Sequence, residues 1–221
     1  VNHTLEIDSV ILEFNSRKIL QDVYLKSETG KITGLLGRNG IGKTCLMNII
    51  YGKLIPNESS VRIDGKALLT TFRHPEKMRY LPQFSFIPKH LKISRIFKDF
   101  SLDFLEFQVL FPEFEKYKNI KFEHLSSGEQ RIIEIYVVLV SNTEFVMLDE
   151  PFSQIMPIHI DIIKTLILKE KKNKGIIITD HLYKHITDIC DNLYVISNEK
   201  TFLTNNIEEL VELEYIKNNG C

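Results

Sequence analysis

One octapeptide limits this chain more than any other feature: Gly37-Arg38-Asn39-Gly40-Ile41-Gly42-Lys43-Thr44. It fits the pattern of Gly, four residues, Gly-Lys-Thr. Both flanks agree with that pattern. The apolar run Ile32 to Leu36 reads as a buried strand ending at Gly37. From Lys43 the apolar positions Cys45, Leu46, Met47, Ile49 and Ile50 take helical spacing, closing near Gly52. Strand, glycine-rich loop and helix together form a cradle for phosphate. The glycines let successive N–H groups curl round phosphate oxygens, and the helix N-terminus adds partial positive charge. Lys43 supplies a point charge for the β and γ phosphates, and the Thr44 hydroxyl suits Mg²⁺. Cys45 lies directly behind the loop and reads as a buried spectator, because no basic neighbour is visible to activate it.

Around this unit, strand-like and helix-like segments alternate. Leu5, Ile7 and Val10 to Leu12 suit early strands, and Val61 to Gly65 a strand and turn. Residues 91–117 are aromatic-rich and roughly helical, with Phe97, Phe100, Phe104 and Phe107 at three- and four-residue spacings. Residues 129–141 read as a helix, 145–148 as a buried strand and 157–171 as a helix. Residues 176–178 read as a strand, 181–190 as a helix, 193–196 as a strand and 207–216 as a final short helix. Such alternation means an α/β fold with a largely parallel core sheet. The expected organisation is one domain over 1–221, with a small helical insert at 84–124.

A second chemical signal follows the run Phe145 to Leu148. It ends in two carboxylates, Asp149 and Glu150. A parallel sheet delivers them at its carboxyl edge, where the glycine-rich loop also lies. Asp149 is assigned to the magnesium shell and Glu150 to polarising an attacking water.

Composition bounds the setting. The 221 residues are 43% hydrophobic and 26% charged, an ordinary globular balance. Lys plus Arg number 28 against 29 acids, so no global field draws nucleic acid. Three cysteines give no paired framework for a disulfide-stapled domain. Glu6 and Asp8 precede any long apolar run, and no run approaches the roughly 20 residues of a membrane span. A cytoplasmic protein is expected.

The combination of motifs resembles the ATP-binding cassette (ABC) ATPases. Leu125-Ser126-Ser127-Gly128-Glu129-Gln130-Arg131 is similar to the family signature Leu-Ser-Gly-Gly-Gln. Gln83, after Leu81-Pro82, resembles the Q-loop glutamine. His181, after Ile176-Ile177-Ile178-Thr179-Asp180, resembles the switch histidine. Phe14 stands where the family places an aromatic that stacks on adenine, although it also suits a core aromatic at a strand end.

The resemblance implies a P-loop NTPase core with an N-terminal antiparallel β subdomain and a small helical subdomain. It implies a Mg-dependent ATPase working as a head-to-tail dimer. Glu150, His181, Lys43 and Gln83 would be catalytic. Thr44, Gln83 and Asp149 would hold the metal. The loop 37–45 and Phe14 would bind ATP, with Ser126, Gly128 and Glu129 closing on it across the dimer. The partners implied are transmembrane transporter subunits at the cytoplasmic face of the inner membrane, with no nucleic acid. A homodimer or a heterodimer with a sister cassette is compatible. Leu81-Pro82-Gln83, Asp149-Glu150-Pro151-Phe152, Ile178 to His181 and Thr187 to Asp191 further resemble the ATPase subunit of lipopolysaccharide-export transporters, and branched-chain amino-acid importer ATPases share part of this pattern. A soluble non-transport ABC ATPase and a weakly hydrolysing ATP-binding scaffold are the alternatives.

Three positions depart from the family pattern. Ser127 replaces a glycine, which would be strained if the backbone there needs positive φ. Glu129 replaces glutamine. Met156 stands where the family has an aspartate that ties the two composite sites together, which weakens the expectation of tightly coupled hydrolysis.

Overall fold

The computed structural model describes residues 1–68, 70–181, 183–204 and 209. Strands β1 (Thr4–Phe14), β2 (Arg17–Glu28), β4 (Glu58–Ile63) and β5 (Lys66–Ala67) form an antiparallel sheet in the order β2-β1-β4-β5. In β1 the buried residues are Leu5, Ile7, Val10 and Leu12, so the alternation slips by one residue between Ile7 and Val10. The slip is a bulge: the register shifts there, and Ser9 takes φ 54°. It keeps both halves of the strand facing the core.

The second sheet has the order β10-β9-β3-β8-β7-β6. Its strands are β3 (Ile32–Leu36), β6 (Met78–Leu81), β7 (Phe145–Asp149), β8 (Gly175–Thr179), β9 (Asn192–Ser197) and β10 (Lys200–Thr204). All neighbours are parallel except β10, which pairs antiparallel with β9. The expected parallel core is therefore present. β3, β7 and β8 are buried along their whole length, as strands covered on both faces must be.

Alternate residues serve two separate cores. Phe145, Met147 and Ile177 pack towards the antiparallel sheet and α1 (Lys43–Tyr51). Val146, Leu148, Ile176 and Ile178 pack on the opposite face with α4 (Ser127–Val140) and α5 (Pro157–Glu170). Six phenylalanines of the 84–124 segment (Phe97, Phe104, Phe107, Phe111, Phe114 and Phe122) are buried in this second core, and Phe107 packs edge-on to Tyr136 of α4 at 4.9 Å. The aromatic stripe is thus core.

Some element readings change. The single helical stretch expected at 91–117 is two short helices, α2 (Ile93–Asp99) and α3 (Phe104–Leu110), followed by a 3-10 turn at Pro112–Tyr117. Ser101 at φ 56° breaks the run, and Asp103 caps α3 through the Leu105 N–H. The helix expected over 181–190 is α6 (Tyr183–Thr187). Strand β10 was not anticipated. The final helix expected at 207–216 falls on residues that, apart from Glu209, lie outside those described.

Candidate nucleotide-binding and catalytic site

The strand order sets the site. β3, β8, β7 and β6 are consecutive and parallel, so their carboxyl ends lie along one edge. Neighbouring strands are about 4.8 Å apart, so the four ends span roughly 15 Å. β3 runs into the glycine-rich loop, β8 into Asp180 and His181, β7 into Glu150, and β6 into Pro82 and Gln83. A cleft of about 540 Å³ opens at this edge, lined by residues of the loop from Asn39 to Cys45 together with Gln83, Glu150 and His181.

The loop has the conformation that its glycines predict. Gly40 takes φ 77° and Gly42 φ 116°. A Cβ at Gly42 would lie 3.0 Å from Leu20, so an L side chain there meets both backbone strain and crowding. Gly42 is the N-cap of α1. No side chain caps this helix, and its first turn holds no acid. The first-turn N–H groups have no helical acceptors, which leaves the positive end of α1 available to an anion.

Lys43 is only 6% exposed, and its ammonium donates to the Gly37 carbonyl at 2.6 Å and the Arg38 carbonyl at 3.3 Å. Burial lowers its pKa, opposed by Glu150, Asp149 and Asp180. Cys45 is half-buried against the apolar core, and burial with nearby Asp149 raises its thiol pKa, which favours the inert thiol.

The two carboxylates have different surroundings. Asp149 is fully buried and does not line the cleft. Its Oδ2 accepts from Tyr80 at 3.1 Å and its Oδ1 from Thr179 at 2.6 Å. Two of its roughly four lone-pair directions remain. Glu150 lines the cleft. Its backbone adopts φ 48°, uncommon for a residue with a side chain, and its N–H donates to the Thr179 carbonyl and hydroxyl. Its Oε2 accepts from Gln83 at 3.0 Å and lies 3.7 Å from His181 Nδ1. His181 Nδ1 is also 3.4 Å from buried Asp180.

Phe14 is 47% exposed at the end of β1 and does not line the cleft. Ser126, Gly128 and Glu129 also stand outside its lining. Ser126 is the N-cap of α4 in a capping box. Its hydroxyl accepts from the Glu129 N–H, and the Glu129 carboxylate accepts from the Ser126 N–H and hydroxyl at 2.8 Å each. Ser127 is the first helical residue and does not take positive φ, so its side chain brings no backbone strain. Gly128 lies under the loop that follows Glu150: a Cβ there would sit 2.7 Å from the Gln154 carbonyl oxygen.

The sequence profile of the ABC transporter family matches residues 20–153, more than half of the chain and including the loop, the signature and both acids. The chain belongs to the ABC transporter family. The cassette is 29% identical over 228 residues to the lipopolysaccharide export system ATP-binding protein LptB of Haemophilus influenzae, covering 96% of this chain and 95% of the relative. The Escherichia coli K12 protein of the same name is 29% identical over 229 residues, covering 97% and 95%. A solved ATP-binding subunit of an ABC transporter superposes with a TM-score of 0.80 at 21% identity, covering 96% and 93%. A bacterial Atm1-family ABC exporter with ATP bound gives 0.83 at 18% identity, covering 96% of this chain and 40% of that one. Cassette fold and ABC-ATPase class are thereby established. Among the described residues no helix is long and apolar enough to cross a membrane.

Several residues that shape the cassette's site carried no assignment from sequence. Tyr80 and Thr179 fix Asp149. Arg131 holds backbone carbonyls beside both acids. Both Thr179 and Arg131 lie inside motifs that were recognised, but their partners are distant in the chain.

Proposed function

We propose that this chain is the Mg-dependent ATP-hydrolysing subunit of a membrane transporter, a single cassette over 1–221 with a helical insert at 84–124. Nucleotide-dependent closure of a dimer would drive its membrane partners. The observation that carries this reading is the single cleft where the uncapped end of α1, Lys43, Glu150, Gln83 and His181 converge.

The donor set fits ATP with Mg²⁺. The N–H groups at the start of α1 and the Lys43 ammonium hold the phosphates, and an incoming anion compensates a buried cation now resting on carbonyls. Thr44 and Gln83 face the cleft with oxygen ligands, and Asp149 backs it with a carboxylate fixed by Tyr80 and Thr179. These three would hold Mg²⁺, whose chemistry there is neutralisation of phosphate charge. Glu150 takes the proton of the attacking water as general base. His181, beside Glu150 and Asp180, orients the Glu150 carboxylate. Exposed Phe14 stacks on adenine. Ser126, Gly128 and Glu129, at the start of α4, meet the nucleotide held by a second cassette. That role agrees with their position outside this chain's own cleft.

Transmembrane subunits at the cytoplasmic face of the inner membrane are the partners of this reading. Phe84 is 79% exposed beside Gln83, an apolar ring next to the nucleotide site that such a subunit would cover. The test is co-purification. Tagged Glu150→Gln protein is expressed in its native host and extracted from membranes in mild detergent with ATP and magnesium. Recovery of a multi-span membrane protein is expected. Recovery of soluble protein alone, with ATP binding confirmed, would overturn the transporter reading.

A further inference from the structure

Three segments of the chain meet on one buried ion pair in α4. Arg131 and Glu134 lie one helical turn apart with 3.7 Å between guanidinium and carboxylate, and their side chains are 7% and 2% exposed. The guanidinium donates to the Pro82 carbonyl at 2.7 Å, the Asp149 carbonyl at 2.7 Å and the Glu150 carbonyl at 3.2 Å. Glu134 Oε1 accepts from the Ser85 hydroxyl at 2.6 Å, the Phe86 N–H at 3.0 Å and the Ile87 N–H at 3.5 Å. The pair therefore grips the loop on both sides of Gln83 and also grips the backbone of Glu150.

Stability alone is a poor reason for such a pair, since well-packed apolar residues often serve a core equally well. An apolar pair could not bind carbonyls and N–H groups from two other segments at once. The planar guanidinium fork suits several acceptors in fixed directions, which an ammonium cannot match. Glu150 needs this restraint more than most residues, because its left-handed backbone is held by the Thr179 contacts on one side and Arg131 on the other.

We propose that Glu134, together with Arg131, is a positioning residue for hydrolysis: the pair sets the Gln83 amide against the Glu150 carboxylate and carries movement of the 82–87 loop to the catalytic acid. The inference deepens the ATPase reading and rests on Glu150 being the general base. Neither residue touches nucleotide in this account, so the effect belongs in kcat and not in KM.

Ser85→Ala removes one loop contact and leaves the ion pair. Glu134→Gln removes the charge, and Arg131→Lys keeps charge but loses the fork. Steady-state phosphate release as a function of MgATP, with thermal unfolding of each variant, separates the possibilities. Ser85→Ala is expected to lower kcat about three- to tenfold, and Glu134→Gln and Arg131→Lys about ten- to a hundredfold, with KM within about twofold. Should Glu134→Gln or Arg131→Lys not fold, Ser85→Ala decides, because Ser85 is a surface residue. An unchanged kcat in Ser85→Ala and folded Glu134→Gln overturns the proposal. So does a loss of kcat that only tracks loss of folded protein. Glu150→Gln is run in parallel. If it hydrolyses ATP at the wild-type rate, the base assignment fails and the proposal with it. If it is inactive while the other variants are normal, only the positioning role fails.

Discussion

Gln83 donates through Nε2 to Glu150 Oε2 at 3.0 Å, although 67 residues separate them. The contact exists because β6 and β7 are parallel neighbours ending at the same edge, Leu81 beside Leu148. A loop glutamine and the carboxylate assigned as general base are thus brought into contact by the strand register.

Lys43→Ala should abolish tight nucleotide binding. It removes the buried cation at the start of α1, and charge-assisted hydrogen bonds of this kind are worth about 1.5–3 kcal/mol, or roughly ten- to a hundredfold in Kd. Titration with a fluorescent ATP analogue checks this. Equal affinity in the variant would show that phosphates are held elsewhere.

Met156 is 60% exposed and occupies the N-cap of α5, with Pro157 at the first helical position. A thioether cannot accept from the first-turn N–H groups as an aspartate does. Met156→Asp is expected to stabilise the folded chain by about 1 kcal/mol. For a chain of this length that raises Tm by about 2–4 °C. Calorimetry of the two proteins measures it, and an unchanged or lower Tm contradicts the capping argument.

The acid limb of stability should report Glu129. Burial acts to raise its pKa, but hydrogen bonds from the Ser126 side chain and backbone prevail and hold it below the ordinary glutamate value of 4.5. A carboxylate lowered on folding stabilises above its unfolded pKa. That contribution is lost as pH falls from about 4.5 through the folded value. Glu129→Gln should therefore flatten stability against pH in this window. Denaturant melts between pH 3 and 6 provide the comparison, and identical slopes for both proteins would refute it.

Phe107 is wholly buried and contacts Phe97, Phe104, Phe111, Phe114 and Tyr136. Phe107→Ala should cost about 3–5 kcal/mol. Urea unfolding tests this. A cost below about 1 kcal/mol would mean that the aromatic cluster is not a core.

The glycine-rich loop was legible because its determinants are local: eight residues, a strand before and a helix after. The α/β alternation was legible for the same reason. The meeting of Gly42, Glu150, His181 and Gln83 was not, because it depends on the strand order β3-β8-β7-β6. The parallel-sheet argument placed Glu150 at the edge that holds the loop, but Gln83 and His181 were suggested only by the order of motifs known from the family. The β9–β10 hairpin escaped notice because its turn, Asn198-Glu199, contains no glycine although both residues take positive φ. Arg131 stood inside a recognised motif, yet its acceptors lie 18 to 49 residues away. Its role follows from packing.

Phosphate release by purified wild-type and Glu150→Gln protein, with saturating ATP and magnesium, decides whether Glu150 is the general base of this cleft. A general base contributes roughly 10²–10⁴-fold. Glu150→Gln is expected to lose at least about a hundredfold in turnover while still binding ATP. Turnover within twofold of wild type would contradict the assignment of Glu150 and the reading of the cleft built on it.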